Sequence, residues 1–479
     1  MSPLSARLLV FSTSAAVLVI EILAVRLLAP YLGVSLEVFT GIIGVILAGI
    51  SLGAWLGGRA ADRVDPRSLP GPLLVGGGLA ALAAPVLIDL IGPTLSGGAV
   101  SIVLASVIGF FAPAALLSAV SPVVVKIRLA SLDRTGTIVG TYSAIGTAGA
   151  IFGTFATGFV LIAAFPTRPI LLGLGIALTF TGLVVGVARR SWMLMSVAVG
   201  GVLSLLLILP GPCDQETKYH CAIVAADPDR PSGRTLVLDR LRNSYVDLTD
   251  PTYLEFRYIR LMADVIETHS QDGPLWVLSI GGGGFTMPGF LASQRPGSVN
   301  VVLEIDPQLV EIGRGQLALS DDVTVMIGDA RTGITEIEDD SVDVVIGDAY
   351  SGASVPWHLT TFEFTQAVAR ALGPKGVYTL NVIDFGALEF ARAEARTLRA
   401  VFGHVALLAP DRYLSGDAGG NFVFVASDAP IDLAAIEEKV RERGGTESGI
   451  TGLELTAFIG DAPILTDDFA PVDQMLGRP

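Results

Sequence analysis

Charge is scarce in this 479-residue chain. Only 16% of its residues are Asp, Glu, Lys or Arg, against about 25% in an ordinary soluble protein. With 51% hydrophobic residues and a mean hydropathy of +0.63, much of the chain cannot be a water-soluble globule. Cysteine is nearly absent: Cys213 and Cys221 are the only two, which excludes a disulfide-stapled scaffold. The four histidines, His220, His269, His358 and His404, are far apart in sequence. No Cys/His cluster has metal-ligand spacing, so no metal site is expected. Basic residues are outnumbered, 31 Lys/Arg against 46 Asp/Glu. With no basic patch, nucleic acid is not an expected partner.

The charge that is present is unevenly divided. Residues 1–210 hold 11 Lys/Arg and 6 Asp/Glu, whereas the rest hold 20 and 40. The first part is an apolar region with basic loops, and the second is acidic and water-soluble. Seven apolar runs approach or exceed the ~20 residues that span a bilayer: 8–28, 39–56, 72–91, 100–125, 139–164, 170–187 and 192–209. The lipid bilayer is therefore an expected partner, and a helical transmembrane domain is expected over 1–210. Arg59, Arg63 and Arg67, then Lys126, Arg128 and Arg134, then Arg189 and Arg190 follow the second, fourth and sixth runs. By the positive-inside rule, the N-terminus is cytoplasmic and the C-terminal domain lies outside. Two cysteines just beyond the last run would suit a disulfide outside the cytoplasm, or stay two free thiols.

Inside the runs, Gly49, Gly53 and Gly57, and again Gly149 and Gly153, recur every four residues, which lets helices approach closely. Glu21 lies within the first run. It is either a functional carboxylate or the partner of Arg26 or a loop arginine.

Residues 211–250 alternate apolar and polar positions on either side of the turn-forming DPDRPSG, as in a small β-hairpin module. The segment TYLEFRYIRLMADVIE has helical periodicity. Over 251–479, strands are expected near 275–280, 299–304, 323–327, 342–347, 376–382, 404–408 and 421–426, alternating with helices. That alternation indicates an α/β Rossmann-like sheet of the methyltransferase type, its last two strands able to form an antiparallel pair. Open α/β sheets bind ligands beyond the carboxyl ends of their strands. The strand LWVLSI runs into GGGG, Gly281 to Gly284, where a ligand can approach the backbone closely. Glu304 ends the next strand, where a carboxylate can accept both ribose hydroxyls. Asp329 follows the third strand, placed to meet an adenine amino group, and Asp348 follows the fourth, facing the reacting end. For Glu304 and Asp329 the plainer alternative is a helix N-cap.

Roughly 216–382 resembles the spermidine synthase family of polyamine aminopropyltransferases, and most closely its bacterial membrane-fused branch. ETKYHCAIV and GRTLVLDRLRNSY resemble the family's N-terminal hairpin, and EFRYIRLM its EF-x-YHEM helix. VLSIGGGG, VVLEIDP, IGDA and VVIGDAYSG resemble its glycine loop, ribose strand, adenine contact and catalytic aspartate loop. The resemblance implies decarboxylated S-adenosylmethionine as co-substrate and a small amine such as putrescine as acceptor. Gly281, Gly282, Gly283, Glu304, Asp329, Ala330 and Asn243 would bind the co-substrate. Tyr258, Tyr350, Trp357 and His358 would bind the acceptor, and Asp348 would deprotonate it.

The departures from the pattern are specific. Gly284 stands where the family has an aspartate for the co-substrate's amino group, and Asn243 where it has glutamine. Ile259 and Arg260 replace the His-Glu of the helix motif, and Ser351 replaces a second aspartate. The tail LTDDFAPVD, with Asp467 and Asp468, either folds over the pocket to replace those carboxylates or is a solvated loop. Two other readings remain: a methyltransferase using intact S-adenosylmethionine, and a non-catalytic polyamine-binding or transport protein. A homodimer is compatible with each.

Overall fold

The computed structural model describes residues 1–95, 98–129, 135–186, 201, 211–352 and 354–477. They form two compact units, Met1–Ala222 and Ile223–Pro479.

Among the described residues, the first unit contains six helices long and apolar enough to cross a membrane: α1 (Pro3–Leu32), α2 (Leu36–Arg63), α3 (Pro66–Thr94), α4 (Gly98–Arg128), α5 (Thr135–Ala164) and α6 (Thr167–Val185). The expected seventh run, 192–209, lies outside the described residues but for residue 201. Helices suit this sequence because each one satisfies its own backbone donors and acceptors. Their starts are marked: the Ser2 hydroxyl accepts from the Ser5 N–H at 3.1 Å. Large apolar side chains face outward, Phe159 being 76% exposed, a surface compatible with lipid.

The glycine rows mark close helix contacts. A methyl group at Gly57 would fall 2.5 Å from the Ala119 carbonyl oxygen, so α2 packs backbone to backbone on α4. Gly149 and Gly153 lie in the same way against Phe11 and Ala15 of α1. The string GISLG within α2 spells a nucleophile-elbow motif, but mid-helix it lacks the strand-to-helix turn that exposes such a serine.

Arg26 forms an ion pair with Glu216 at 2.9 Å, so its partner is not Glu21. The same arginine donates to the Thr167 hydroxyl and to the Thr217 and Lys218 carbonyls. Cys213 and Cys221 form a disulfide, one of the two outcomes open from sequence. It closes a loop containing β1 (Gln215–Glu216), which pairs with Cys221 and Ala222.

After β1 come β2 (Cys221–Ala226), β3 (Gly233–Leu238) and β4 (Leu241–Asp247), which with β1 make a four-stranded sheet in the order β1-β2-β3-β4. Then come α7 (Arg257–His269), β5 (Trp276–Ile280), α8 (Thr286–Gln294), β6 (Val299–Glu304), α9 (Pro307–Gln316), β7 (Val323–Ile327), α10 (Ala330–Gly333) and β8 (Val342–Gly347). The chain continues through α11 (Phe362–Ala371), β9 (Leu372–Asp384), α12 (Glu389–Val401), β10 (His404–Ala409), β11 (Gly420–Ser427) and β12 (Ser448–Thr451). The eight-stranded sheet has the order β12-β10-β11-β9-β8-β5-β6-β7.

Strands β5 to β9 are parallel, so their carboxyl ends share one edge. β10 and β11 form the expected antiparallel pair, and β11 also runs antiparallel to β9. The N-terminal end of β11 therefore joins that same edge. β12 is an eighth strand that the sequence reading missed. It is four residues long with three half-buried positions, too short to show alternation.

The sheet is covered on both faces, which is why its strands read as continuous aliphatic runs. Leu278, Val345, Leu380 and Phe424 pack on one side with α11 and α12, and Val277, Val344 and Val423 on the other with α7.

Candidate active site

The glycine loop is held open by its surroundings. Gly281 takes φ +91°, and a methyl group there would lie 2.7 Å from the Asp348 carbonyl oxygen. Only glycine allows both that conformation and that contact. At Gly284 a methyl group would fall 2.6 Å from the Ser244 Cβ. The family's aspartate has no room here, because Ser244 of β4 fills its place and accepts a hydrogen bond from the Gly284 N–H at 2.8 Å. Ser244 also donates to Asn243 Oδ1 at 2.9 Å. In β4 Ser244 pairs with Leu236 and Arg242 with Val237, leaving Asn243 as the extra residue of a bulge. Bulges re-aim side chains, and this one sets Asn243 against Gly283.

Glu304 ends β6 and is buried, 5% exposed. Its Oε2 accepts from the Gly282 N–H at 2.8 Å and its Oε1 from the Asp306 N–H at 2.8 Å. The helix cap that could have explained this residue belongs to Asp306 instead, which caps α9. Asp329 does cap its helix: its Oδ1 accepts from the Arg331 N–H at 2.8 Å, at the start of α10 with Ala330. Its second oxygen lies 3.0 Å from His358 Nε2. The structure thus brings His358 to Asp329. Among the described residues no hydrogen bond joins His358 to Asp348. Trp357, edge-on to the His358 ring, is half exposed.

Asp348 follows β8, and its N–H donates to the Ile280 carbonyl at 3.0 Å, which locks it beside the glycine loop. Its Oδ2 accepts from the Tyr258 hydroxyl at 3.1 Å and its Oδ1 from Asn381 Nδ2 at 2.9 Å. Burial pushes this carboxyl up to about 6, and the two hydrogen bonds pull the other way without overcoming it. Burial, then the charge of Asp348, pushes the Tyr258 phenol well above its usual range, so Tyr258 stays a donor at neutral pH. Tyr350 donates to the Asn381 carbonyl at 2.8 Å.

Several departures from the family pattern have partners. Ile259 is buried in the core under α7. Arg260 turns to the backbone, donating to the Leu254 and Glu255 carbonyls at 2.6 and 2.7 Å. Ser351 is exposed, with its N–H on the Ser354 carbonyl. The tail does fold back. Asp467 pairs with Arg331 at 2.5 Å and accepts from the Thr361 hydroxyl at 2.7 Å, so its charge is spent on the loop that carries His358. Asn381, Asn421 and Arg331 are residues of this region that the sequence reading missed. The only signal for Asn381 was a polar residue at mid-strand between Leu380 and Val382. Among the described residues no group of His, Cys, Asp or Glu could hold a metal.

No family model matches the chain. It is 31% identical over 140 residues to the polyamine aminopropyltransferase of Chromobacterium violaceum, covering 29% of this chain and 53% of that protein. It is 33% identical over 134 residues to the polyamine aminopropyltransferase of Vibrio vulnificus, covering 27% of this chain and 44% of that protein. The chain thus spans about half the length of the curated relatives it matches. A probable spermidine synthase from Corynebacterium glutamicum superposes with a TM-score of 0.50 at 28% identity, over 55% of this chain and 98% of that one. Over its C-terminal part, this chain belongs to the spermidine synthase family of polyamine aminopropyltransferases.

Proposed function

We propose that this protein is a membrane-bound aminopropyltransferase that moves the aminopropyl group of decarboxylated S-adenosylmethionine to a small amine. The observation that carries the reading is Asp348, held between Tyr258 and Asn381 beside the glycine loop. The fit to the nucleoside rests on the space over Gly281 that a side chain would fill. It also rests on Glu304, whose buried carboxylate is already oriented by two backbone N–H groups. Gly281, Gly282, Gly283 and Asn243 line the sulfonium and ribose side. Asp329 and Ala330 take the adenine side, with His358 steadying Asp329. Tyr258, Tyr350 and Trp357 bound the acceptor.

An alkylamine is almost fully protonated at pH 7, with a pKa of about 10.4 for a lysine-like group. As the amine nitrogen attacks the methylene carbon next to sulfur, the C–N bond forms and the C–S bond breaks. The bonding pair leaves on sulfur as a neutral thioether, so no acid is required. The proton passes to Asp348, which is ionised above about pH 6 and close enough in affinity to accept it. Most of the remaining rate enhancement is alignment.

Arg260 and Ser351 stand where the family has a glutamate and an aspartate that would hold a second positive charge, which favours an acceptor carrying less charge than a diamine. Putrescine and monoamines are the acceptors to compare. Gly284, closed to an aspartate by Ser244, supports a second reading as an S-adenosylmethionine methyltransferase. Binding of intact and decarboxylated co-substrate to the purified full chain, followed by product analysis with each amine, separates the two. Tighter binding of the intact form with methylated product would overturn the aminopropyl reading.

The six apolar helices and the Cys213–Cys221 disulfide support a multi-pass protein with this disulfide outside the cytoplasm. Labelling with an impermeant thiol reagent after reduction tests that placement. Protection of both cysteines in intact cells would reverse it.

A further inference from the structure

Behind Asp348 lies a second amide. Asn381 is 1% exposed, and its Oδ1 accepts from Asn421 Nδ2 at 2.9 Å. In the antiparallel register of β9 and β11, Asn381 faces Val423 and Ile383 faces Asn421. Asn381 and Asn421 are therefore diagonal neighbours on one face of the sheet. The reversed direction of β11 is what delivers Asn421 to the carboxyl-end edge.

An asparagine amide has one accepting end and one donating end. With Asn421 donating to the oxygen of Asn381, the NH2 group of Asn381 must face Asp348 Oδ1, where it lies at 2.9 Å. A flipped Asn381 would set its oxygen against the carboxylate and its NH2 against the NH2 of Asn421. Both contacts would be repulsive. Asn381 also receives Tyr350 on its carbonyl, so one residue pins both ends of the Asp348–Tyr350 turn.

We infer that Asn421 is a positioning residue that acts through Asn381, fixing the amide so that it holds and acidifies the Asp348 carboxylate. The inference rests on the proposed role of Asp348 as the proton acceptor. Without the lock, Asn381 samples both orientations, Asp348 loses part of a charge-assisted hydrogen bond, and its proton affinity rises.

The test uses the full chain in detergent with Asn421→Leu, which keeps the branched shape and removes the donor, Asn421→Ala as a smaller side chain, and Asn421→Gln as a donor-retaining control. The protonated Asp348 carbonyl band is followed by infrared titration, identified by its loss in Asp348→Asn. Asn421→Leu and Asn421→Ala should move the titration midpoint and the acid limb of the rate profile up by about half a pH unit. They should lower kcat about 3- to 10-fold with KM for the nucleoside co-substrate unchanged, while Asn421→Gln stays near the parent. Because the infrared titration needs no turnover, absence of aminopropyl transfer in the parent would overturn the proposed function and leave this test intact. Folded Leu or Ala variants with an unmoved midpoint would overturn the positioning role.

Discussion

The two units bury their surfaces with different side chains. In Met1–Ala222 the tightest contacts are backbone on backbone, with Gly57 set against Ala119 and Gly153 against Ala15. In Ile223–Pro479 the core is made of large groups, with Phe364, Phe390, Phe422 and Phe424 all under 2% exposed. The contrast is the one expected of a unit suited to lipid beside a unit suited to water. In water, burying a large apolar side chain is itself favourable, by about 1.5–3 kcal/mol each. In lipid that gain is absent, so helices associate where small residues let them pack closely. The same rule separates the polar groups. Those of the first unit pair among themselves, as Arg168 does with Asp89 and Arg26 with Glu216. In the second unit, Glu304, Asp329 and Asp348 stand at the carboxyl-end edge of the parallel strands.

The contrast can be broken by variants whose effects differ in size. Asp348→Asn is expected to lower turnover by about 10²–10⁴-fold, the range for removing a general base, while co-substrate binding measured by calorimetry stays nearly intact. Retained turnover would remove Asp348 from the mechanism. Gly57→Leu should prevent α2 from closing on α4, seen as loss of the monodisperse folded species in detergent. A well-folded Gly57→Leu protein would contradict the close-packing account. Leu278→Ala, in the middle of the parallel sheet, should cost about 2–5 kcal/mol of stability. Arg331→Ala frees Asp467 and should cost no more than about 1 kcal/mol, since that pair is partly exposed.

Stability should also depend on pH through Asp348. Its carboxyl is raised from 3.8 to about 6 in the folded protein. The stability it contributes is full below about pH 3.8, where the group is protonated in both states, and is lost as pH rises through about 6. Above that, Asp348→Asn should melt higher than the parent, by on the order of 1–3 kcal/mol, and the difference should vanish in acid. Activity runs the opposite way, rising through about pH 6 as the base ionises.

The parts legible in the sequence are those whose signal is local. Long apolar runs announced seven helices, six of which fall within the described residues, and alternating strands and helices announced the α/β sheet. Acidic residues at strand ends announced Glu304, Asp329 and Asp348, because in a parallel sheet every carboxyl end falls on the same edge. The parts that were not legible depend on contacts distant in sequence. Asn421 reaches Asn381 only through the antiparallel register of β9 and β11. Asp467 reaches Arg331 across 136 residues, and a run of exposed-looking carboxylates gives no hint of that. His358, expected beside the acceptor, stands against Asp329 across 29 residues.

The sequence by itself determined the division into an apolar helical unit and an acidic α/β unit, since hydropathy and its period act over a few turns or strands. It also determined which carboxylates end the parallel strands. Tertiary structure alone decided which groups hold those carboxylates. Hydrogen-bond partners such as Tyr258, Asn381 and Asn421 come together only when strand order and direction are set, and no local pattern encodes a meeting between side chains far apart in the chain.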